Sequence, residues 1–231
     1  MHRLLVATDS LESASPTLSS EAARHLRVVR PKDGEEIELF DGKGHWRVCA
    51  YRAEENRLLP VSPVQFAKRP EKALTLFACV TKGSRWDWTI EKATELGVTR
   101  IVPVISERTI VRIPRQERAA KLARWRRIAE DAARQSDAKW LPEICEPVDF
   151  ADSLPLVKET SCLIGALTVP PPPAISCAEG DAVYVGPEGD FTPDELAALC
   201  EVAKPVTFGP TILRAETAAI FAVSVLKARQ I

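Results

Sequence analysis

The stretch Val185-Gly186-Pro187-Glu188-Gly189-Asp190-Phe191-Thr192-Pro193 decides the fold of this 231-residue chain. The short apolar run 182–185 ends at its start, and a glycine-containing turn then leads into a helix. Thr192 is suited to cap that helix, Pro193 to occupy its first position, and Glu195 to complete a capping box. Strand, loop and helix in this order form the repeating unit of an α/β domain.

The same pattern recurs on both sides of this stretch. Further apolar runs predict buried strands at 73–80, 101–105, 163–169 and 206–208. Helical spacing predicts helices at about 86–97, 115–136, 193–203 and 215–229, and Gly97 suits the C-terminal end of the first. The helix 115–136 carries an apolar stripe formed by Leu122, Trp125, Ala129 and Ala132. We therefore expect an α/β domain with a mostly parallel sheet from residue 73 to residue 231.

The first 70 residues have a different pattern, which predicts β-structure. The runs 36–40 and 45–51 alternate in polarity and flank the turn Asp41-Gly42-Lys43-Gly44, which indicates a hairpin. The segment 56–66 contains Pro60 and Pro63 and is typical of an edge strand or a loop. Lys68-Arg69-Pro70 marks the expected domain boundary.

The charge of the chain is balanced overall but segregated along its length. It has 31 Lys and Arg against 32 Asp and Glu, for a net charge of −1. Residues 107–140 carry 10 basic and 5 acidic side chains, whereas residues 141–204 carry 2 and 12. Because the local field decides where a polyanion docks, the net charge does not exclude a nucleic-acid partner. The alternative is that both segments are solvated surfaces.

Several classes of protein are excluded by the sequence. No apolar run reaches the 18 residues that a membrane-spanning helix needs. The N-terminal residues MHRLLVATDSLES lack the features of a signal peptide, so we expect a cytoplasmic protein. No two of the six cysteines are spaced C-x-x-C, and the three histidines form no cluster, so we expect no metal site. The cysteines are expected to act as small buried hydrophobic residues.

The loop 186–191 resembles a phosphate-binding loop, but its charges argue against that ligand. A glycine-rich turn before a helix is a common anion site. Here Glu188 and Asp190 would bring negative charge to the phosphate, and the chain has no Walker lysine. A neutral or cationic ligand suits this loop better. The competing interpretation is a tight turn that needs positive φ at two glycines.

Two other predicted strand ends carry similar signals. Residues 208–218 combine a Gly-Pro turn with Arg214 and Glu216 at the entry of an apolar helix, where each charge needs a partner. The strand 163–169 ends in another candidate loop, and Lys82 and Arg85 follow the strand 73–80. Loops at the carboxyl ends of parallel strands are where ligands bind in such sheets. We therefore expect one ligand site formed by these loops.

Taken together, the motifs resemble one known family. The stretches HLRVVRPKDG (25–34), LFDGKG (39–44), TIEKATELGV (89–98) and SERT (106–109) match it in order. RWRRIAEDAARQS (124–136), VGPEGDFTPDE (185–195) and ILRAETA (212–218) continue the match. The chain is similar to the RsmE-type 16S ribosomal RNA methyltransferases of the SPOUT superfamily. The family usually has Arg after its Gln-Ser pair, whereas Gln135-Ser136 here is followed by Asp137-Ala138-Lys139, and Lys139 is the candidate substitute. The residues after Arg3 lack the family's aromatic side chains.

The resemblance implies a PUA-like RNA-binding β-barrel at 1–70 and a SPOUT methyltransferase domain at 73–231, with a trefoil knot at about 161–231. It implies a cytoplasmic homodimer that acts in rRNA processing and ribosome biogenesis by methylating N3 of uridine 1498 in 16S rRNA of the 30S subunit. The cofactor would be S-adenosylmethionine, without a metal. Its expected binding residues are Ala166, Leu167, Thr168, Val185, Gly186, Pro187, Glu188, Gly189, Phe208, Gly209, Pro210, Ile212, Leu213 and Ala218.

The chemistry of the reaction selects further candidates. Uridine N3 must lose its proton, so we expect Arg214 to stabilise the anion and Glu216 or Glu188 to act as the base or to orient it. The expected RNA-contacting residues are Arg3, His25, Arg27, Arg30, Lys82, Arg85, Arg124, Arg134 and Lys139. Three alternatives remain open: a non-catalytic RNA-binding protein with this fold, a SPOUT enzyme that acts on tRNA or on a ribose 2′-OH, and a small-molecule enzyme that uses the acidic loop for a metal.

Overall fold

A computed structural model describes residues 1–166 and 170–230 of the chain. These residues form two compact units. The first unit consists of residues 1–70 together with 130–141, and the second of residues 71–129 together with 142–231. The division expected from the sequence lies near residue 70. In addition, the structure assigns 130–141 to the first unit, where Lys139 and Trp140 form bonds with Glu38 and Ala67.

The first unit is built on one small sheet. Its strands are β1 (His2–Leu5), β2 (Glu36–Phe40), β3 (His45–Arg52), β4 (Arg57–Pro60) and β5 (Gln65–Phe66). The order is β1-β2-β3-β4, and β5 also pairs with β3. The β2–β3 hairpin is confirmed, with Phe40 opposite Trp46, as is the strand within 56–66. Leu4, Leu11, Ile37 and Leu39 are buried in its core.

Helices in this first unit were not expected from the sequence. The structure has α1 (Thr8–Glu12) and α2 (Ser20–Val29) between β1 and β2. Ser19 caps α2 by accepting a hydrogen bond from the backbone N–H of Ala22. The helix buries Ala22 and Leu26, which lie one turn apart on the same face. The sequence does carry a helical signal here, since Ser19 suits an N-cap and Ala22, Leu26 and Val29 recur at helical spacing, and the prediction of β-structure over the first 70 residues did not account for it.

The second unit is an α/β domain, as predicted. Its strands are β6 (Thr75–Cys79), β7 (Arg100–Ile105), β8 (Glu143–Ile144), β9 (Val148–Asp149), β10 (Cys162–Gly165), β11 (Ala182–Val185) and β12 (Lys204–Val206). Its helices are α3 (Ser84–Glu95), α4 (Arg115–Ser136, whose last turns belong to the first unit), α5 (Phe150–Lys158), α6 (Pro193–Cys200) and α7 (Ala215–Ala228), with a 3-10 turn at Ile175–Cys177. Within the described residues the sheet order is β12-β10-β11-β6-β7-β8, with β9 also beside β7.

All strand pairs of this second sheet are parallel in the described part of the chain. Strand β6 is buried along its whole length, as its continuous apolar run predicts. The stripe Leu122, Trp125, Ala129 and Ala132 of α4 is buried, as predicted. Gly97 has a φ of +78° just after α3, which confirms its place at the helix end. The last strand was misplaced: β12 ends at Val206, so Phe208 lies in the following loop.

The described helices include none that is both long enough and apolar enough to cross a membrane.

Candidate active site

A cleft lies at the carboxyl ends of strands β10, β11 and β12, within the second unit. Its volume is about 310 Å³, which falls in the range of small-molecule sites. Three loops form it, as the strand-end pattern predicts. The residues that line it are Gly165, Ala166, Val185, Gly186, Pro187, Glu188, Asp190, Phe208, Gly209, Thr211, Ile212, Leu213, Arg214, Ala215 and Ala218.

The predicted cofactor residues are distributed as follows. The cleft wall includes eleven residues predicted as cofactor-binding or catalytic: Ala166, Val185, Gly186, Pro187, Glu188, Phe208, Gly209, Ile212, Leu213, Arg214 and Ala218. Gly189, Pro210 and Glu216 are not part of the wall. Leu167 and Thr168 lie outside the described residues. Four further wall residues were not on the list of expected binding residues, namely Gly165, Asp190, Thr211 and Ala215, although each lies in or beside a motif quoted above.

The first loop, 186–192, depends on its glycines for close packing. The competing interpretation, a turn with positive φ at two glycines, does not describe this loop, since its residue with positive φ is Asp190, at +59°. A Cβ on Gly186 would lie 2.9 Å from the ring of Phe191, and one on Gly189 would lie 3.3 Å from Cβ of Arg108. Both distances are shorter than ordinary carbon contacts. The glycines therefore let neighbouring side chains pack against the loop backbone.

A second segment fixes this loop from the outside. The Arg108 guanidinium donates hydrogen bonds to the carbonyl oxygens of Gly189, at 3.2 Å, and of Phe191, at 3.3 Å. The predicted capping box is present, because Thr192 accepts from the backbone N–H of Glu195 and the Glu195 carboxylate accepts from that of Thr192.

The same Glu195 carboxylate also accepts a hydrogen bond from the backbone N–H of Glu107, at 2.8 Å. The SERT stretch, 106–109, thus holds the acidic loop in place through both Arg108 and Glu107. Sequence reasoning identified this stretch as a family motif but assigned it no role.

The loop 208–214, which follows β12, requires a glycine on the neighbouring strand β10. A Cβ on Gly165 would lie 2.5 Å from Cε2 of Phe208, so only glycine leaves room for that ring. Phe208 also contacts Phe221 of α7, edge to face, at a ring-centroid distance of 6.1 Å. Gly209 has a φ of +121°, which L side chains rarely adopt. These constraints place the Phe208 ring in the cleft wall.

The charged side chains around the cleft differ in whether they form ion pairs. The Arg85 guanidinium lies 3.4 Å from Glu188 and 3.8 Å from Glu216, so it bridges a carboxylate of the loop 186–192 and one in the first turn of α7. Among the described residues, the second oxygen of Glu216, Oε2, finds no hydrogen-bond partner although it is buried, and the same holds for Thr81 Oγ1 and Trp86 Nε1, which line the same narrow crevice. By contrast, Arg214 is exposed and forms no ion pair with the residues that the structure describes. The sequence predicted that Arg214 and Glu216, at the entry of α7, each need a charged partner. Among the described residues, only Glu216 has one, which is Arg85.

The expected RNA-contacting residues differ in whether they already form ion pairs with acidic side chains. Five are held in ion pairs with acidic residues: Arg3, Arg85, Arg124, Arg134 and Lys139. Within residues 1–166 and 170–230, Arg27, Arg30 and Lys82 are exposed and form no such pair. Burial lowers the pKa of His25, and the nearby charge of Arg134 lowers it further, so His25 carries little charge at neutral pH.

The cysteines divide into buried and accessible groups. Burial raises the pKa of the Cys49 thiol to about 11 and those of Cys79 and Cys162 to about 12. Cys177 and Cys200 are exposed, which differs from the expectation that nearly all are buried. In the described part of the chain, no group of three or more His, Cys, Asp or Glu side chains is arranged to hold a metal ion.

Comparison with known proteins finds a matching family model for each of the two units. Residues 68–227 match the model of an RNA methyltransferase domain, and residues 18–59 match that of an RNA methyltransferase PUA domain. Ribosomal RNA small subunit methyltransferase E of Aquifex aeolicus is 35% identical over 88% of this chain and 90% of its own length. The protein of the same name from Synechocystis is 31% identical over 98% of this chain and 77% of its own length.

A solved structure agrees with these relatives. Ribosomal RNA small subunit methyltransferase E of Neisseria gonorrhoeae, bound to S-adenosyl methionine, is 30% identical and superposes with a TM-score of 0.84. The match covers 99% of this chain and 98% of that one. The fold is thus that of an RNA methyltransferase domain joined to a PUA-like domain. The chain belongs to the RNA methyltransferase family that contains the ribosomal RNA small subunit methyltransferase E proteins.

Proposed function

We propose that this protein is an S-adenosylmethionine-dependent methyltransferase that methylates N3 of uridine 1498 in 16S rRNA, within the 30S subunit. The observation that carries the proposal is the cleft, which combines an acidic wall with Arg214, a residue that forms no ion pair within the described part of the chain. Glu188 and Asp190 line it, and both would repel a phosphate. The names of the relatives, and the cofactor bound by the Neisseria protein, support the same activity.

The residues of the cleft fit this cofactor. S-adenosylmethionine carries a positive sulfonium and no phosphate, so it suits an acidic wall. The glycines at 165, 186 and 209 leave backbone groups within reach of a ligand. The residues that would hold the cofactor are Ala166, Leu167, Thr168, Val185, Gly186, Pro187, Glu188, Gly189, Phe208, Gly209, Pro210, Ile212, Leu213 and Ala218. When bound, the cofactor supplies a methyl group on a positively charged sulfur that an electron-rich nitrogen can displace.

The chain itself supplies the groups that handle the uracil proton. Arg214 lies on the cleft wall, and its exposed guanidinium can neutralise the anion that uracil becomes when N3 loses its proton. Glu188 lies on the same wall and can accept that proton. Glu216 does not line the cleft, and we assign it a positioning role, in which it holds Arg85 next to Glu188.

Finer features of the fold belong to the same proposal. We expect the first unit to close into a PUA-like β-barrel, which is supported by β4 and β5 both pairing with β3. We expect a trefoil knot within about 161–231. This expectation is supported by the position of α7, which follows the edge strand β12 yet packs against helix α3 and against β11 and β6, two strands in the interior of the sheet. We also propose a cytoplasmic homodimer that acts in ribosome biogenesis.

The basic side chains would then contact the phosphates of the RNA. We propose this role first for the exposed and unpaired Arg27, Arg30 and Lys82. Arg3, Arg85, Arg124, Arg134 and Lys139 would have to exchange a carboxylate partner for a phosphate, and His25 would bind as a neutral side chain. Phosphate contacts make affinity fall steeply with salt, so binding to 30S subunits should weaken strongly between low and physiological ionic strength.

One experiment tests the activity directly. The full-length protein is incubated with labelled S-adenosylmethionine and unmethylated 30S subunits, and the modified nucleotide is mapped by mass spectrometry. We expect a methyl group on N3 of uridine 1498. A methyl group on a ribose 2′-OH, or on tRNA offered in parallel, would contradict the proposed substrate. Failure to bind the cofactor would indicate a non-catalytic RNA-binding protein.

Variants of Arg214 test its role. Arg214→Ala should bind the cofactor normally and lower the methylation rate by about 10²–10³-fold, as loss of an anion-stabilising donor does elsewhere. Arg214→Lys should recover part of that rate. Arg118→Ala is the matched control, since Arg118 donates to the Pro147 carbonyl and pairs with Asp149 without lining the cleft. A full rate in Arg214→Ala would exclude the proposed role.

A further inference from the structure

An exposed aromatic patch lies on the first unit, outside the cleft. Phe66 ends the short strand β5 and is 59% exposed. Its ring lies 5.0 Å from the ring of His45 and 6.0 Å from that of Trp140, measured between centroids. We call His45, Phe66 and Trp140, together with the neighbouring Lys43 and Arg69, the aromatic patch. None of these residues has a role in the proposed catalysis.

The backbone around Gly44 builds this patch and fixes its rings. A Cβ on Gly44 would lie 2.7 Å from the Trp140 ring and 2.8 Å from the carbonyl oxygen of Ala67, so the site requires glycine. Trp140 donates its indole N–H to that same carbonyl, at 2.9 Å, and the Ala67 N–H donates to the Gly44 carbonyl, at 2.8 Å. The turn after β2, the end of β5 and the segment 130–141 therefore meet at one point.

His45 is held by a buried acid. Its Nδ1 lies 2.9 Å from the carboxylate of Asp41, which is almost fully buried. The backbone N–H groups of Lys43 and His45 also donate to Asp41, at 2.7 Å and 3.0 Å. The DGKG motif, which the sequence shows only as a hairpin turn, thus orients an imidazole ring beside Phe66. A side chain fixed in this way loses little entropy when it binds a partner.

The charges beside the rings are positive. The Arg69 guanidinium lies over the Trp140 ring, at 5.4 Å from its centroid. Lys43 is exposed, and its backbone pairs with that of Trp140 in an isolated β-bridge. Asp41, the acid that contacts the His45 ring, is buried and hydrogen-bonded. Phe66 is exposed, whereas His45 and Trp140 are half-buried and support it from the side. An exposed ring flanked by cations can bind unpaired nucleotides, because a base stacks on the ring and phosphates meet the cations.

We propose that the aromatic patch binds single-stranded RNA by stacking an unpaired base on Phe66. The inference rests on the proposed function in that the partner is an RNA, but it assigns a second contact site that is separate from the cleft. Lys43 and Arg69 would contact the phosphates on either side of the stacked base. The patch thereby adds affinity for RNA whose bases are unpaired and discriminates against duplex.

The test compares Phe66→Ala with two matched variants of the full-length protein. Phe66→Trp keeps a stacking surface, and Val61→Ala removes a different exposed apolar side chain, 54% exposed, from the same unit. Binding to a labelled single-stranded RNA of mixed sequence, about one OB-fold site in length (~12 nucleotides), is measured by fluorescence anisotropy over a range of salt concentrations. Circular dichroism checks that each variant is folded, and size-exclusion chromatography reports its oligomeric state.

We expect Phe66→Ala to weaken RNA binding by about 5- to 150-fold, while Phe66→Trp and Val61→Ala bind within about twofold of the wild type. The dependence of affinity on salt should stay the same in Phe66→Ala, because no phosphate contact is lost, and should become shallower in Lys43→Gln. Equal binding of Phe66→Ala and Val61→Ala would overturn the proposal. So would a change of oligomeric state in Phe66→Ala, which would assign the patch to a protein contact.

The methylation assay separates the two proposals. If the wild type methylates 30S subunits while Phe66→Ala binds single-stranded RNA normally, the patch proposal fails and the proposed function stands. If the wild type methylates nothing, but Phe66→Ala binds single-stranded RNA more weakly than the wild type, the proposed function fails and the patch proposal stands.

Discussion

Replacing Gly165 by alanine tests whether the cleft is the cofactor site. The new Cβ would lie 2.5 Å from Cε2 of Phe208, against about 3.5–4.0 Å for an ordinary carbon contact. The ring therefore has to move by about 1 Å or more. Because Phe208 lines the cleft, its displacement changes the surface that the cofactor meets. Overpacking of this kind costs about 1–3 kcal/mol of folding free energy.

A second glycine provides the control. Gly180 lies in the same unit but does not line the cleft, and its Cβ would lie 2.6 Å from the carbonyl oxygen of Ser161. Gly180→Ala should therefore lose a similar amount of stability. Both substitutions also restrict the unfolded chain equally, which offsets about 0.4–1 kcal/mol of the loss in each. The comparison thus separates a local effect on the cleft from a general loss of stability.

The two variants are compared by urea unfolding and by isothermal titration with S-adenosylmethionine. We expect Gly165→Ala to raise the Kd about tenfold or more, equivalent to about 1.4 kcal/mol, and Gly180→Ala to leave it unchanged. If Gly165→Ala is destabilised as strongly as Gly180→Ala but binds the cofactor like the wild type, the cofactor does not occupy this cleft.

Three further predictions concern other parts of the molecule. Arg108→Ala should raise the Kd for S-adenosylmethionine about fivefold, since it loses hydrogen bonds worth about 1 kcal/mol to the acidic loop, whereas Arg118→Ala should not; equal affinities in the titration would contradict this. Burial raises the pKa of Asp41, but hydrogen bonds from Lys43, His45 and Thr8 outweigh it and lower the pKa below its ordinary value. Asp41→Asn should therefore cost about 1–2 kcal/mol in urea unfolding at pH 7. The difference should disappear as the pH falls below about 4, through the pKa of the folded state; a pH-independent difference would argue against it. Finally, Ellman's reagent at pH 8 should modify the exposed Cys177 and Cys200 within minutes. Cys49, Cys79 and Cys162, whose pKa burial raises to about 11 or 12, should react only after the protein is unfolded. Rapid reaction of more than three thiols would be inconsistent with this burial.

The helices and strands with strong local signals were predictable from sequence. Helix α4 begins and ends where its spacing predicts, and the capping box at Thr192 starts α6 as expected. Other elements were not predictable. Helix α5 contains Pro155, and β8 and β9 have only two residues each, so their local patterns carry little information. These short strands form because β7 offers them an edge to pair with.

The candidate site shows the same division. The sequence pointed to three loops, because each follows a buried strand and carries glycine or charge. It did not show which charges pair. Arg85 and Glu188 are 103 positions apart, and their contact depends on the order of strands in the sheet. The same holds for Arg108, whose bond to Gly189 spans 81 positions.

The sequence by itself determined the α/β class of the second unit, the hairpin of the first, the family and the location of the cleft. The family follows from the resemblance of the quoted motifs, and the other features follow from periodicity, capping and turn residues, which act over a few positions along the chain. Only the tertiary structure decided that five of the expected RNA-binding cations are already paired, that Arg214 has no ion-pair partner among the described residues, and that Phe66, His45 and Trp140 are in contact. The physical reason is that charge pairing and ring contacts depend on distance in space, which the fold sets between residues far apart in sequence.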